Sequence, residues 1–162
     1  SAAMPVRSFS EGYVVDSVNR AIAAWQAPVG GRIPVSNSGL CRDSVKKHDD
    51  NESVVGFGPT KDEKGKALLG ITHKRTVGNR IVEADVELST SLLGRRVLNP
   101  SWMADRSPTS CLSQTLMHEI GHVIGMDHAP EDTISVMTPG AVCVRITELP
   151  RADAENVRLL YP

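Results

Sequence analysis

Residues 118–128 read HEIGHVIGMDH. Three of the chain's five histidines fall in this stretch, with a glutamate directly after the first. On an α-helix at ~100° per residue, Leu112, Leu116, Ile120 and Val123 fall within about 80° of one another and form one apolar face. His118 and His122 lie about 200° and 240° round from Leu116, on the opposite face and one turn apart. Two imidazoles in that relation can reach a single ion. Glu119 is turned ~100° from His118. It is poorly placed as a co-ligand and well placed to reach a water beside that ion.

A catalytic zinc takes three protein ligands and leaves a fourth position open. His128 completes the set only if the helix stops first, because a continuing helix carries it about 9 Å past His122 at ~1.5 Å per residue. Gly125 provides the stop, since glycine accepts positive φ and lets the chain reverse. A bare H-E-x-x-H arises by chance on ordinary helices. The extended pattern H-E-x-x-H-x-x-G-x-x-H, in phase with an apolar stripe, is far more restrictive. His48 and His73 stand alone and read as structural or exposed.

The segments around this helix predict strands first and helices at the end. A short strand is expected at 5–9. EGYVVDSVNRAIAAWQ (11–26) follows as a helix with Val14, Val18, Ile22 and Trp25 on one stripe, ended by Pro28 and Gly30-Gly31. RIPVSN (32–37), SVVGFG (53–58) and GKALLGITHKR (65–75) read as strands, with a polar loop at about 38–52 and a turn at Gly78-Asn79. In RIVEADVELS (80–89), Ile81, Glu83, Asp85 and Glu87 alternate with Val82, Ala84, Val86 and Leu88, which is the period of a strand with one apolar and one polar face. The acidic face reads as the solvated side rather than as a cation site. After a loop at 94–109, Ser110 is a plausible N-cap for the histidine helix. A turn-rich stretch covers 126–148 and a last helix about 151–160.

At 162 residues the chain suits a single domain with a real core, and 40% apolar with 23% charged residues is an ordinary globular composition. A net charge of −1 gives no global field toward nucleic acid. No run approaches the ~20 apolar residues of a membrane span, and SAAMPVRSFS has no apolar core of a signal peptide. Cys41, Cys111 and Cys143 allow at most one intramolecular bridge. One bridge fits a secreted protein and three thiols a cytosolic one; the partner of Cys111 is open.

His118, Glu119, His122, Gly125 and His128 fill every defined position of the zinc motif of the metzincin clan of endopeptidases, which the chain resembles. Met137, in ISVMTPG (134–140), matches the clan's Met-turn and would floor the site without binding metal. Pro139 stands where astacins and serralysins carry a tyrosine, so the chain is most similar to a matrixin catalytic domain. The other elements come in matrixin order over nearly the whole length. The resemblance implies an α/β (α+β) fold: a mixed, mostly parallel twisted sheet packed on two helices, and a smaller C-terminal subdomain ending in a helix. One catalytic domain is expected over 1–162, its upper part about 1–125 and its lower part about 126–162.

The resemblance further implies a secreted, monomeric zinc endopeptidase with one catalytic ion, held by His118, His122 and His128, and Glu119 as general base and acid. Its substrate would lie extended along LLGITHK (68–74). TPGAVCVRITEL (138–149) would wall the pocket for the residue after the cut, with Gln114 near its base. GPTKDEKGKALLGITHKRTVG does not reproduce the family's second-zinc stretch, so no structural zinc is predicted; calcium is left open. Of the acidic pair that opens the family's closing helix and helps anchor the N-terminus, only Asp153 is present, beside Ala152. Two other readings stand: a zincin-like module that binds without cutting, which intact Glu119 argues against, and a zinc hydrolase of a non-peptide substrate.

Overall fold

The computed structural model describes residues 11–40, 49–90, 92, 111–140 and 148–162. The expected strand at 5–9, the loop at 94–109, Ser110, His48, Cys41 and Cys143 lie outside these residues. Helix α1 (Glu11–Gln26) and a 3₁₀ turn (Ala27–Val29) are followed by strands β1 (Val55–Gly58), β2 (Gly70–Val77) and β3 (Arg80–Ser89), then helices α2 (Cys111–Val123) and α3 (Arg151–Leu160). The sheet is mixed, in the order β1-β3-β2. β1 runs parallel to β3 and β2 antiparallel to it, so the described residues hold one pairing of each kind. The turn at Gly78-Asn79 joins β2 to β3, with Gly78 at φ 60°.

The core lies where α2 packs on β2 and β3 and α1 packs on α2. Val86, Leu88, Leu112, Leu116 and Trp25 are fully buried in it. The buried face of α1 runs through Tyr13, Ser17, Val18, Ala21 and Trp25, with Val14 and Ile22 on its flanks. Buried Ser17 turns its hydroxyl back to the carbonyl of Tyr13 and so meets the need of a buried polar group for a partner. The Trp25 indole N–H donates to the Met117 carbonyl at 2.9 Å, which fixes α1 against α2 one residue before His118.

The structure departs from the sequence expectation in two of these segments. RIPVSN (32–37) forms no strand. The carbonyls of Ile33 and Val35 accept hydrogen bonds from the Gln26 side-chain amide, so a side chain satisfies backbone groups that a neighbouring strand would otherwise take. The acidic face of β3 is not its wet face, since Glu83 and Asp85 are buried. The chain at 49–54 covers them and hands them its backbone N–H groups. Asp49 and Asn51 donate to the two oxygens of Glu83, and Val54 donates to Asp85. Burial alone raises the Glu83 pKa; the N–H groups of Asn51 and Asp49 and the Arg75 guanidinium outweigh it and hold the carboxyl below its ordinary range.

Candidate metal centre and active site

Helix α2 ends where Gly125 takes φ +93°. The Gly125 N–H returns to the His122 carbonyl and the Met126 N–H to the Gly121 carbonyl, a paired closure that satisfies the last carbonyls of the helix. A side chain at residue 125 would be strained in this conformation. The reversal brings His128 back to the helix, and the ligand nitrogens of His118, His122 and His128 lie within 4.8 Å of one another. His128 Nε2 is 3.1 Å from His122 Nε2 and 3.3 Å from His118 Nε2.

The other ring nitrogens set the tautomers. His118 Nδ1 lies 2.7 Å from the Val136 carbonyl and His122 Nδ1 2.9 Å from the Met126 carbonyl. A carbonyl only accepts, so each Nδ1 carries the hydrogen and each Nε2 presents a lone pair. His128 in the tautomer with its hydrogen on Nδ1 presents a third lone pair to the same point, and a cation there would bind all three. Tetrahedral Zn–N bonds of ~2.0–2.1 Å have edges of about 3.3–3.4 Å, close to the two Nε2 separations given above. The donor set therefore fits a zinc ion.

Burial lowers the pKa of all three imidazoles. For His118 it outweighs the Val136 hydrogen bond and nearby Asp153, and for His128 it acts with the neighbouring His118. His122 is pushed to about 4, first by burial and then by His118 and His128, against the Met126 bond that raises it. All three are thus neutral near pH 7 and need lose no proton to bind metal. His122 binds its proton less well folded than unfolded, so its contribution to stability is full above about pH 6.5 and is lost as the pH falls through about 4. Glu119 and Asp153, whose pKa values are raised, act in the opposite sense in the carboxylate range. In metal-free protein the His122 ring resonances are expected to titrate near pH 4; a midpoint near the ordinary 6.5 contradicts this burial.

Glu119 is 4% exposed, although it faces the histidine cluster. Its Oε2 accepts a 2.6 Å hydrogen bond from the Thr72 hydroxyl on β2. Burial raises its pKa, with Thr72 and His128 pulling the other way. The arrangement is three imidazoles converging within 4.8 Å and, beside His128, a buried carboxyl bonded to β2, an edge strand among the described residues.

The sequence profile described as Matrixin matches residues 8–162. The chain belongs to the matrixin family. Matrixins are zinc metallopeptidases, and this matrixin brings together the three histidines that could hold the ion. No individual curated protein matches it closely enough to be named as a relative.

Behind His118 lie the turn at 135–137 and Asp153. Met137 is buried, and a Cβ added to Gly121 would lie 2.3 Å from its sulfur and 2.9 Å from the Trp25 ring. Gly121 therefore lets the Met137 turn and α1 close on α2 from two sides. The polar face of α2 is consequently not open, and the turn at 135–137 covers His118. A hydrogen-bond chain runs from the His118 ring to the Val136 carbonyl, through that peptide to the Met137 N–H, on to Ser135 Oγ and into Asp153. The second Asp153 oxygen accepts from the Val136 N–H at 2.8 Å. Both oxygens of this 1%-exposed carboxylate are thus engaged inside the lower part of the fold.

Sequence reasoning missed Gly121, Ser135, Gly70 and Thr72. A glycine inside a helix, costing about 1 kcal/mol against alanine, is itself a signal of close packing, and Gly121 was readable on that ground. Gly70, inside the expected strand at 65–75, carried the strand version of that signal, and Thr72 carried none. Cys111, at the start of α2, is disulfide-bonded. With three cysteines in the chain, thiol titration of denatured, unreduced protein is expected to find one free thiol; three would show that no bridge forms.

Proposed function

We propose that the chain is a zinc-dependent endopeptidase that hydrolyses peptide bonds in proteins. The convergence of His118, His122 and His128 on one point, with Glu119 alongside, is the observation that carries this reading. His118, His122 and His128 are the ligands, kept neutral by burial and, for the first two, aimed by the carbonyls of Val136 and Met126. Zinc bound there supplies Lewis-acid activation of water and of the scissile carbonyl. Glu119 takes the proton of the attacking water and returns it to the leaving amine nitrogen. No side-chain nucleophile is used. Gly125 returns His128 to the site, and Met137 floors it.

The substrate pairs in extended form with the edge strand β2, within the expected 68–74 segment. Buried Gln114, one helical turn before His118, lies at the base of the pocket for the residue after the cut; of the expected wall at 138–149, residues 141–147 lie outside the described residues. The catalytic unit comprises an upper part of about 1–125 and a lower part of about 126–162 and acts as a monomer. Secretion fits the disulfide at Cys111, and no described helix is long and apolar enough to cross a membrane.

Incubation with casein followed by mass spectrometry of the products tests the reading. New internal peptide ends that vanish with a chelator are expected. Intact casein after zinc loading points instead to a binding module or a non-peptide substrate.

A further inference from the structure

Gly70 and Thr72 are two residues apart on β2 and share one face of the sheet, the face on which α2 packs. Both meet Glu119 there. A Cβ added to Gly70 would lie 2.6 Å from Glu119 Oε1, 2.8 Å from its Cγ and 2.9 Å from its Cδ. The carboxyl arm occupies the space that any other residue at position 70 would fill. The Thr72 hydroxyl is 2.6 Å from Oε2 and 3.3 Å from the Glu119 backbone carbonyl. It has a single hydrogen to give, and the short contact to the carboxylate is the one that takes it. Oε1 accepts no hydrogen bond among the described residues.

We infer that Gly70 and Thr72 are positioning residues for the Glu119 carboxylate: the glycine leaves it room against β2, and the threonine hydroxyl holds Oε2 so that Oε1 is left to receive the proton. The inference rests on the general-base reading of Glu119 proposed above. It also joins two functions in one strand, since the edge that pairs with the substrate orients the group that activates the attacking water. Proton transfer demands near-contact geometry, and a displacement of about 1 Å costs on the order of 100-fold in rate.

Valine and threonine have the same shape, and both suit a strand. Thr72→Val therefore removes the hydroxyl while keeping the packing, and Thr72→Ser keeps the hydroxyl. Gly70→Ala instead fills the cradle, and the flexible carboxyl arm moves more readily than the strand. The assay is cleavage of a quenched fluorescent peptide copied from a casein site that the wild type cuts, with zinc content measured for every variant. Thr72→Val and Gly70→Ala are expected to lose about 10–100-fold in kcat with KM and zinc content little changed, and Thr72→Ser to recover most of the loss. A second readout needs neither metal nor turnover. In metal-free protein labelled with ¹³C at glutamate, the Glu119 carboxyl resonance should shift in Thr72→Val and Gly70→Ala and stay near its wild-type position in Thr72→Ser.

Wild-type kcat and an unmoved resonance in Thr72→Val overturn the inference. So does a Thr72→Ser variant as impaired as Thr72→Val, which assigns the residue to packing. A Glu119→Gln variant that cuts at the wild-type rate overturns the general-base reading itself. That outcome is distinct from one in which Glu119→Gln is inactive and Thr72→Val is not.

Discussion

Glu119→Gln is expected to retain one zinc per chain and to lose about 10²–10⁴-fold in kcat, the usual contribution of a positioned general acid–base group. Glutamine keeps the length and shape of the side chain and still offers an oxygen to Thr72. It cannot take a proton from water near neutral pH. His118 and His122 keep their hydrogen bonds to Val136 and Met126, so the metal ligands are untouched. Steady-state kinetics with elemental analysis of the same sample checks both halves. Unchanged turnover would remove Glu119 from the reaction, and loss of zinc would make it a structural partner of the histidines.

The second large effect is expected at Asp153, which reaches His118 through the turn at 135–137. Asp153→Ala strips the Ser135 hydroxyl and the Val136 N–H of their buried acceptor. An orphaned buried donor costs about 1–3 kcal/mol, so destabilisation of about 2–6 kcal/mol is expected in urea unfolding of metal-free protein. The turn that these bonds hold carries the Val136 carbonyl, which aims His118. Supporting partners of this kind are worth about 10–100-fold in metal affinity, and zinc competition against a chromogenic chelator should show a loss in that range. A change below about 0.5 kcal/mol, the range of ordinary surface substitutions, with unaltered zinc affinity contradicts the described network.

Much of this was legible in the chain because its signals are local. Periodicity placed α1 and β3 at the residues where the structure has them, α3 falls on the expected 151–160, and Gly125 gave the end of α2. The histidine site was legible for the same reason, since its ligands lie on one helix and the turn after it. What was not legible depends on distant partners. The alternation in β3 distinguishes two faces but cannot tell that the chain at 49–54 returns to cover Glu83 and Asp85. The apolar content of RIPVSN suits a strand, yet Gln26 takes its carbonyls. Thr72 and Ser135 are unremarkable in sequence; only the fold sets one against Glu119 and the other between Met137 and Asp153.

Peptide cleavage by chelator-stripped protein, followed as zinc is added back in substoichiometric steps, bears most directly on the role of the three histidines. The rate is expected to start near zero, rise in proportion to added zinc and level off at one ion per chain, with His118→Ala, His122→Ala and His128→Ala giving no comparable rise. Full cleavage by protein shown by elemental analysis to be zinc-free, or a wild-type-like rise in the His122→Ala variant, contradicts a catalytic zinc held by His118, His122 and His128.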